Sequence, residues 1–346
     1  MEALIWTSNN RLELQHMEEP AIISPWDVKI HIQLTGICGT DLAVISGKEL
    51  GVYDVIRGHE AVGIVVEKGS SVTRVDIGDR VVIDPNKSCG QCRFCLRDMP
   101  HLCVAEDGRG MSISGLNVHG TFAKWFVTQE EFIHRIPDEM SWETAVMIEP
   151  LACVLHNFRE AGVRPDDHVL VLGSGPMGLL CQMVARQQAS FTAATELNDY
   201  RLSVASTIAN VAVKPDQLDI AAVNSWLGER KFDVVIDTVG NQLETAERWI
   251  ERGGRIVPFG INAQYRYTCT PTSFIQEGIK IIGAGEYRHM FHEALQQAGD
   301  MNRLDGLVTK RYKLSEYEDA IEELLSQGKS SQEERIETVK TVFIPA

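Results

Sequence analysis

The sequence predicts an α/β chain of two domains, a doubly wound parallel sheet joined to a mostly-β companion. Three observations carry this. Residues 1–150 hold short β-branched runs separated by turn residues. Residues 151–286 alternate apolar strands with helical stretches. A glycine-rich turn, Gly173-Ser174-Gly175-Pro176-Met177-Gly178, stands where one of those strands gives way to a helix. At 346 residues the chain is long enough for more than one core.

In the first stretch, Val28-Lys29-Ile30-His31-Ile32-Gln33-Leu34 alternates apolar and polar residues. Ala61-Val62-Gly63-Ile64-Val65-Val66 and Val81-Val82-Ile83 are β-branched runs bounded by Gly and Asp. Gly69-Ser70-Ser71 and Ile77-Gly78-Asp79 supply turns. Beyond Glu149 the strands are Val169–Leu172, Phe191–Thr195, Val234–Ile236, Ile256–Phe259 and Ile279–Ile282, with a weaker one at Val211–Val213. Strands alternating with helices imply a parallel sheet covered on both faces. From about Glu286 the pattern is helical, then ends in Thr338-Val339-Lys340-Thr341-Val342-Phe343-Ile344, a strand suited to returning to the first domain. The expected division is therefore 1–150 with 287–346, and 151–286. Ser330–Arg335 has the composition of an exposed, solvated loop.

Composition narrows the function. Hydrophobic residues make up 44% and charged residues 23%, ordinary for a soluble globular protein. A formal net charge of -15 argues against a nucleic-acid partner, since phosphate binding needs clustered Lys and Arg. The N-terminus has an early acid and no basic run, unlike a signal peptide, and no stretch approaches the ~18 apolar residues of a membrane span. Four of the eight cysteines fall in one short, regularly spaced cluster, which points to metal binding in the reducing cytoplasm.

The glycine turn has the context a nucleotide site requires: a strand before it, a helix after it, and Glu196 at the end of the next strand. Gly173, Gly175 and Gly178 permit close approach of a pyrophosphate to the helix N-terminus, which Pro176 and Met177 open. Glu196 can accept hydrogen bonds from both ribose hydroxyls and would repel a 2′-phosphate. That favours NAD over NADP, although Arg201 lies close enough to serve a phosphate.

Cys89-x-x-Cys92-x-x-Cys95, closed by Cys103, has the spacing of a four-thiolate structural zinc site. It lies in a Gly- and Arg-containing loop with little core of its own, where a metal supplies stability that packing cannot. A second pattern is Gly36-Ile37-Cys38-Gly39-Thr40-Asp41 followed by Gly58-His59-Glu60. Cys38 and His59 are unspecific one at a time. Together they offer the mixed thiolate, imidazole and carboxylate donors of an open, reactive zinc site.

Gly58-His59-Glu60-Ala61-Val62-Gly63, with Gly69 and Val72, resembles the zinc signature of the medium-chain dehydrogenase/reductase superfamily. Both zinc motifs and the nucleotide fingerprint stand in that family's order, so the resemblance covers essentially the whole chain. Ile148-Glu149-Pro150-Leu151-Ala152 and Gly285-Glu286-Tyr287-Arg288 resemble its polyol (sorbitol-type) branch. The resemblance implies a GroES-like catalytic domain and a Rossmann nucleotide domain. It implies two zincs per subunit, one on Cys89, Cys92, Cys95 and Cys103 and one on Cys38, His59 and Glu60. Glu149 would lie at the second zinc, directly or through water. It further implies NAD as cofactor, Thr40 as a proton-handling hydroxyl, Asp41 orienting His59, Arg288 reaching substrate oxygens, and a homodimer or homotetramer paired through the nucleotide sheets. The chain departs from the branch in three places. It keeps the four-cysteine cluster that several sorbitol dehydrogenases lack. It has Thr40 where many have serine, and it ends the His119–Trp125 segment in Lys124-Trp125. The expected reaction is oxidation of a secondary alcohol of a polyol, sugar derivative, cyclitol or aminocyclitol to a ketone. An enzyme resembling L-threonine 3-dehydrogenase and a non-catalytic zinc- and nucleotide-binding relative are the alternatives.

Overall fold

The computed structural model describes residues 1–105, 110–326 and 337–345. Within them the chain divides into two compact units. One comprises the described residues of Met1–Ala152, Arg288–Ile336 and Lys340–Ala346, the other Cys153–Tyr287 with Glu337–Val339. The loop expected at Ser330–Arg335 lies outside the described residues.

The first unit is mostly strand. In chain order it has β1 (Glu2–Thr7), β2 (Arg11–His16), β3 (Asp27–Gly36), β4 (Val55–Ile56), β5 (Glu60–Lys68), β6 (Arg80–Ile83), β7 (Asn86–Lys87), β8 (Ser112–Ile113), β9 (Trp125–Gln129) and β10 (Ile133–Arg135). Alternation along β3 is the reason for its role. Val28, Ile30 and Ile32 turn inward to a core with Val65, Val72, Val81 and Ile83, and Leu34 is also buried, while Lys29, His31 and Gln33 stay half-buried. A second core, around Leu4, Trp6, Phe122 and Phe343, packs the β1–β2 hairpin. Helix α1 (Gly39–Ile45) follows β3, α2 is Trp142–Ala145, and α3 (Ile148–Ala161) contains the point where the two units divide.

The second unit carries β11 (His168–Leu172), β12 (Phe191–Thr195), β13 (Val211–Val213), β14 (Phe232–Asp237), β15 (Ile250–Pro258) and β16 (Lys280–Ile281). They form one all-parallel sheet in the order β13-β12-β11-β14-β15-β16. The order reverses direction at β11, the strand that leads into the glycine turn, as a doubly wound sheet requires. Val169, Leu170, Val171, Val234, Val235 and Ile236 are all buried, which is why these strands read as continuous apolar runs rather than alternating ones.

The tail is not simply helical. It contains β17 (Val308–Lys313) as well as helices at Phe291–Asp300 and Tyr317–Ser326, and ends in β18 (Lys340–Ile344). β18 pairs parallel with β17 and antiparallel with β3, closing a sheet of order β10-β6-β5-β3-β18-β17 on which β9 also pairs with β3. β17 was hidden in the sequence because Val308-Thr309-Lys310-Arg311-Tyr312-Lys313 is too polar for a core strand; its side chains are mostly half-exposed. Among the described residues, no helix is long and apolar enough to cross a membrane.

Candidate active site

Strand register brings the first set of donors together. Gly36 at the end of β3 stands opposite Glu60 at the start of β5, and opposite Val342 of β18. Cys38, two residues beyond β3, and His59, one residue before β5, therefore meet at one end of the sheet. Cys38 is the N-cap of α1 in extended conformation, and its backbone N–H donates to Asp41 Oδ2 at 3.1 Å. The donor atoms of Cys38, His59 and Glu60 lie within 4.8 Å of one another, and His59 and Glu60 are buried.

Two buried ion pairs support this group. Arg57 Nη2 lies 3.0 Å from Asp41 Oδ1, with both side chains almost fully buried. Asp41 thus holds Arg57 and the Cys38 N–H, and it acts on His59 by charge. Asp41 is expected to orient His59; its carboxylate oxygens accept from Cys38 and Arg57, and His59 Nδ1 has no hydrogen-bond partner among the described residues. In the second pair, Lys340 Nζ meets Glu60 Oε2, also out of contact with solvent. Gly36 makes the room: a Cβ there would overlap Glu60 Oε2 and stand 2.8 Å from Lys340 Cε. Neither Arg57 nor Lys340 was picked out from the sequence. Their partners are 16 and 280 positions away, and only the strand pairing brings them in.

Glu149 is buried in the first turn of α3. It stands outside the 4.8 Å group, yet its charge reaches both His59 and Lys340. Burial alone would push His59 down. The negative charges of Cys38, Asp41 and Glu149 instead raise it to about 10. Burial likewise opposes the Lys340 ammonium, but Glu60, Cys38 and Glu149 hold its pKa above the ordinary lysine value. Such a concentration of negative charge suits a divalent cation. Thr40 Oγ1 is buried without a hydrogen-bond partner among the described residues, an unusual state for a hydroxyl that no ligand engages. The soft and borderline donor set, with one thiolate, one imidazole and one carboxylate, fits zinc with a position left for substrate.

The second set is tighter. Sγ of Cys92 lies 3.6 Å from that of Cys95 and 4.0 Å from that of Cys103, and Cys89 Sγ lies 3.9 Å from that of Cys95. Four thiolates placed tetrahedrally at a Zn–S distance of 2.3 Å are separated by about 3.8 Å. A disulfide would need about 2.05 Å, and none of these four cysteines is in one. Backbone N–H groups of Cys89 and Ala105 donate to Cys103 Sγ, and that of Cys92 to Cys89 Sγ, each at 3.3 Å. Backbone N–H donors from Cys95 and Val104 lower Cys92 to about 6, whereas burial and the neighbouring Cys92 raise Cys95. A metal bound there would take the place of thiol protons.

Arg288 is not in the Cys38–His59–Glu60 group. Its Nη2 donates to Asp98 Oδ2 at 2.5 Å, and His289 shares the other oxygen at 2.6 Å. Asp98 lies three residues past Cys95, so the cysteine lobe anchors this segment. One of five guanidinium donors is spent there.

In the second unit, Gly173 has φ +94°, and a Cβ there would stand 2.9 Å from Thr238 Oγ1. Helix α4 (Pro176–Gln188) follows, with Gly175 as N-cap, Pro176 in the first position and Met177 next. Gly178 packs on Gly173 with no space for a side chain. Glu196 follows β12. Its Oε2 accepts from Ser174 N–H and its Oε1 from Leu197 and Asn198 N–H, each at 2.8 Å. Arg201, in α5 (Asp199–Ala205), donates from Nε to Thr338 O at 3.0 Å, and its Nη1 would stand 3.8 Å from a Cβ placed on Gly175. The glycine loop and Glu196 thus form one hydrogen-bonded unit at a helix N-terminus, the arrangement that accepts a pyrophosphate and a ribose.

Residues 24–138 match the alcohol dehydrogenase GroES-like domain, and residues 176–300 match the zinc-binding dehydrogenase domain. The chain is 30% identical over 315 residues to D-arabinitol dehydrogenase 1 of Uromyces fabae, covering 87% of each. It is 27% identical over 335 residues to sorbitol dehydrogenase of Bacillus subtilis, covering 94% of each. Its fold matches a zinc-binding dehydrogenase of Sinorhizobium meliloti 1021 solved with NADP at a TM-score of 0.88, with 26% identity over 99% of both chains. The two units are accordingly GroES-like and Rossmann domains. The chain is an alcohol dehydrogenase that uses zinc and a nicotinamide cofactor, and it belongs to the sorbitol-dehydrogenase-like branch of the zinc-dependent medium-chain dehydrogenases.

Proposed function

We propose that this enzyme oxidises a secondary alcohol of a small polyhydroxylated molecule to a ketone with NAD. The observation that carries the reading is the convergence of Cys38, His59 and Glu60, with the buried hydroxyl of Thr40, unpartnered among the described residues, two residues past Cys38. The names of the relatives, arabinitol and sorbitol dehydrogenases, support the polyol class. Zinc supplies a Lewis acid toward the substrate oxygen, and the nicotinamide takes the hydride. The chain's own residues do the rest. Cys38, His59 and Glu60 hold the metal, with Glu149 adding negative charge nearby. Thr40 Oγ1 would accept a hydrogen bond from the substrate hydroxyl. Arg288 keeps donors beyond its Asp98 bond for a neighbouring hydroxyl. Cys89, Cys92, Cys95 and Cys103 hold a second zinc. A screen of purified enzyme against polyols, cyclitols, aminocyclitols, sugar acids and threonine, following NADH absorbance, tests the reading. Turnover of threonine alone would replace it.

Glu196 supports NAD over NADP. With Glu196→Ala, kcat/KM for NAD should fall by about 10- to 100-fold, the loss of charge-assisted hydrogen bonds, while that for NADP rises. Steady-state kinetics with both cofactors decides this. A wild-type preference for NADP would place the 2′-phosphate on Arg201 instead.

We further propose that the enzyme works in the cytoplasm and that two copies pair through β16, the edge strand of the parallel sheet, where Ile281 is exposed. Sedimentation at micromolar concentration should give a dimer or tetramer; a monomer alone would refute the pairing.

A further inference from the structure

Lys340 is an unexpected neighbour for a metal site. It is the first residue of β18 and 3% exposed, and its ammonium is paired with Glu60, itself 1% exposed. The placement is built. Register sets Val342 of β18 against Gly36 and Gly36 against Glu60, and the missing side chain of Gly36 leaves the volume that the pair fills. The other buried cation of the cluster, Arg57, is committed to Asp41.

Stability does not explain such a pair. A buried ion pair is often no better than two apolar side chains of the same volume. Nor does tight metal binding. An ammonium in contact with Glu60 competes with a metal for the carboxylate.

We propose that Lys340 is a positioning residue that keeps Glu60 a weak, displaceable ligand, so that a substrate oxygen can take its place on the metal. The inference rests on reading Cys38, His59 and Glu60 as a metal site. Without Lys340 the Glu60 charge has only the metal to satisfy it, and the metal is held more tightly and exchanged less readily.

The test compares the zinc-loaded enzyme with Lys340→Met, which fills the same volume, and Lys340→Arg, which keeps the charge. Each is challenged with a chelator while zinc release is followed, and Cys38→Ala identifies the release that belongs to the structural site. Lys340→Met should release the catalytic zinc about 10-fold more slowly, the scale on which groups behind metal ligands act. Its kcat should fall, and Lys340→Arg should restore both values. In the cobalt-substituted enzymes, substrate should perturb the visible spectrum of wild type and not that of Lys340→Met. Release as fast as wild type, or faster, from a Lys340→Met protein with native circular dichroism would overturn the proposal. Where Lys340→Met does not fold, Glu60→Gln is compared with Glu60→Gln/Lys340→Met, which buries no unpaired charge. If Lys340 acts through Glu60, the two release zinc within about 2-fold of each other; a larger difference overturns the proposal. A wild type with no more zinc than Cys38→Ala would instead remove the metal-site reading, and the role of Lys340 with it.

Discussion

Cys38→Ala should abolish turnover and leave a folded enzyme that still binds its nicotinamide cofactor. The two halves of this expectation have separate causes. The α1 N-terminus is held through the backbone of Cys38, whose N–H donates to Asp41 Oδ2, and the Arg57–Asp41 pair remains in place. An alanine keeps that N–H, so the helix and the β3 end that leads to it should survive. The nucleotide-binding residues Gly173, Gly175, Gly178 and Glu196 belong to the other compact unit. What is lost is the only thiolate of the Cys38–His59–Glu60 group. Lewis-acid stabilisation is worth several kcal/mol, and about 4 kcal/mol corresponds to roughly a 1000-fold fall in kcat. Metal analysis should show the zinc content falling by one per chain, thermal melting should stay close to wild type, and NADH fluorescence should still report binding. A variant retaining a tenth or more of wild-type turnover would take Cys38 out of the chemistry.

How much of this was legible in the sequence depends on how far apart the partners are. The glycine turn and the cysteine spacing are local, so the residues alone placed the fingerprint between β11 and α4 and the four sulfurs in one lobe. The parallel strands were legible because burial on both faces leaves continuous apolar runs such as Val169–Leu172. β15 was only half found. It begins at Ile250, but Glu251-Arg252-Gly253-Gly254 interrupts the apolar pattern, and a register shift against β14 accompanies the interruption. Long-range charge pairing was the least legible. Arg57 precedes Gly58-His59 and reads as an ordinary surface arginine until Asp41 is placed beside it. Lys340 lies in an alternating strand, Thr338-Val339-Lys340-Thr341-Val342, where a lysine normally marks the solvent face; β18 is central here, so that face is covered. The signal that could have raised suspicion was the count of acids near the metal motif. Asp41, Glu60 and Glu149 with Cys38 leave an excess of negative charge that one zinc alone does not balance, so buried cations had to come from somewhere else in the chain. Arg288 shows the reverse. Its place in a family-like segment suggested a substrate contact, and the structure adds a tie to Asp98 that no local pattern announced.

Cys92→Ala should unfold the cysteine lobe while sparing most of the catalytic unit. The lobe has almost no core of its own. The two short helical turns at Cys95–Arg97 and Pro100–Leu102 bury no residue, and Leu96 is 76% exposed. Its order rests on the sulfur cluster and on N–H groups aimed at those sulfurs. Metal binding to four thiolates contributes on the order of 10 kcal/mol to the folding of small zinc domains, far more than the packing in this loop. Removing Cys92 takes out the sulfur that lies within 4.0 Å of both Cys95 and Cys103. Hydrogen exchange across residues 86–105 should then approach the rate of an unfolded chain, and the lobe should become the first site of proteolysis. The effect should travel. Asp98 sits in the lobe and holds Arg288 and His289, and His289 is kept in a left-handed conformation with φ 52°. Once Asp98 is released, exchange around residues 288–290 should rise as well, although those residues are 190 positions from the substitution's neighbourhood in sequence. A lobe that keeps its protection without Cys92 would mean that packing, and not a metal, orders it; unchanged exchange at 288–290 alongside an open lobe would mean that Asp98 does not hold that segment.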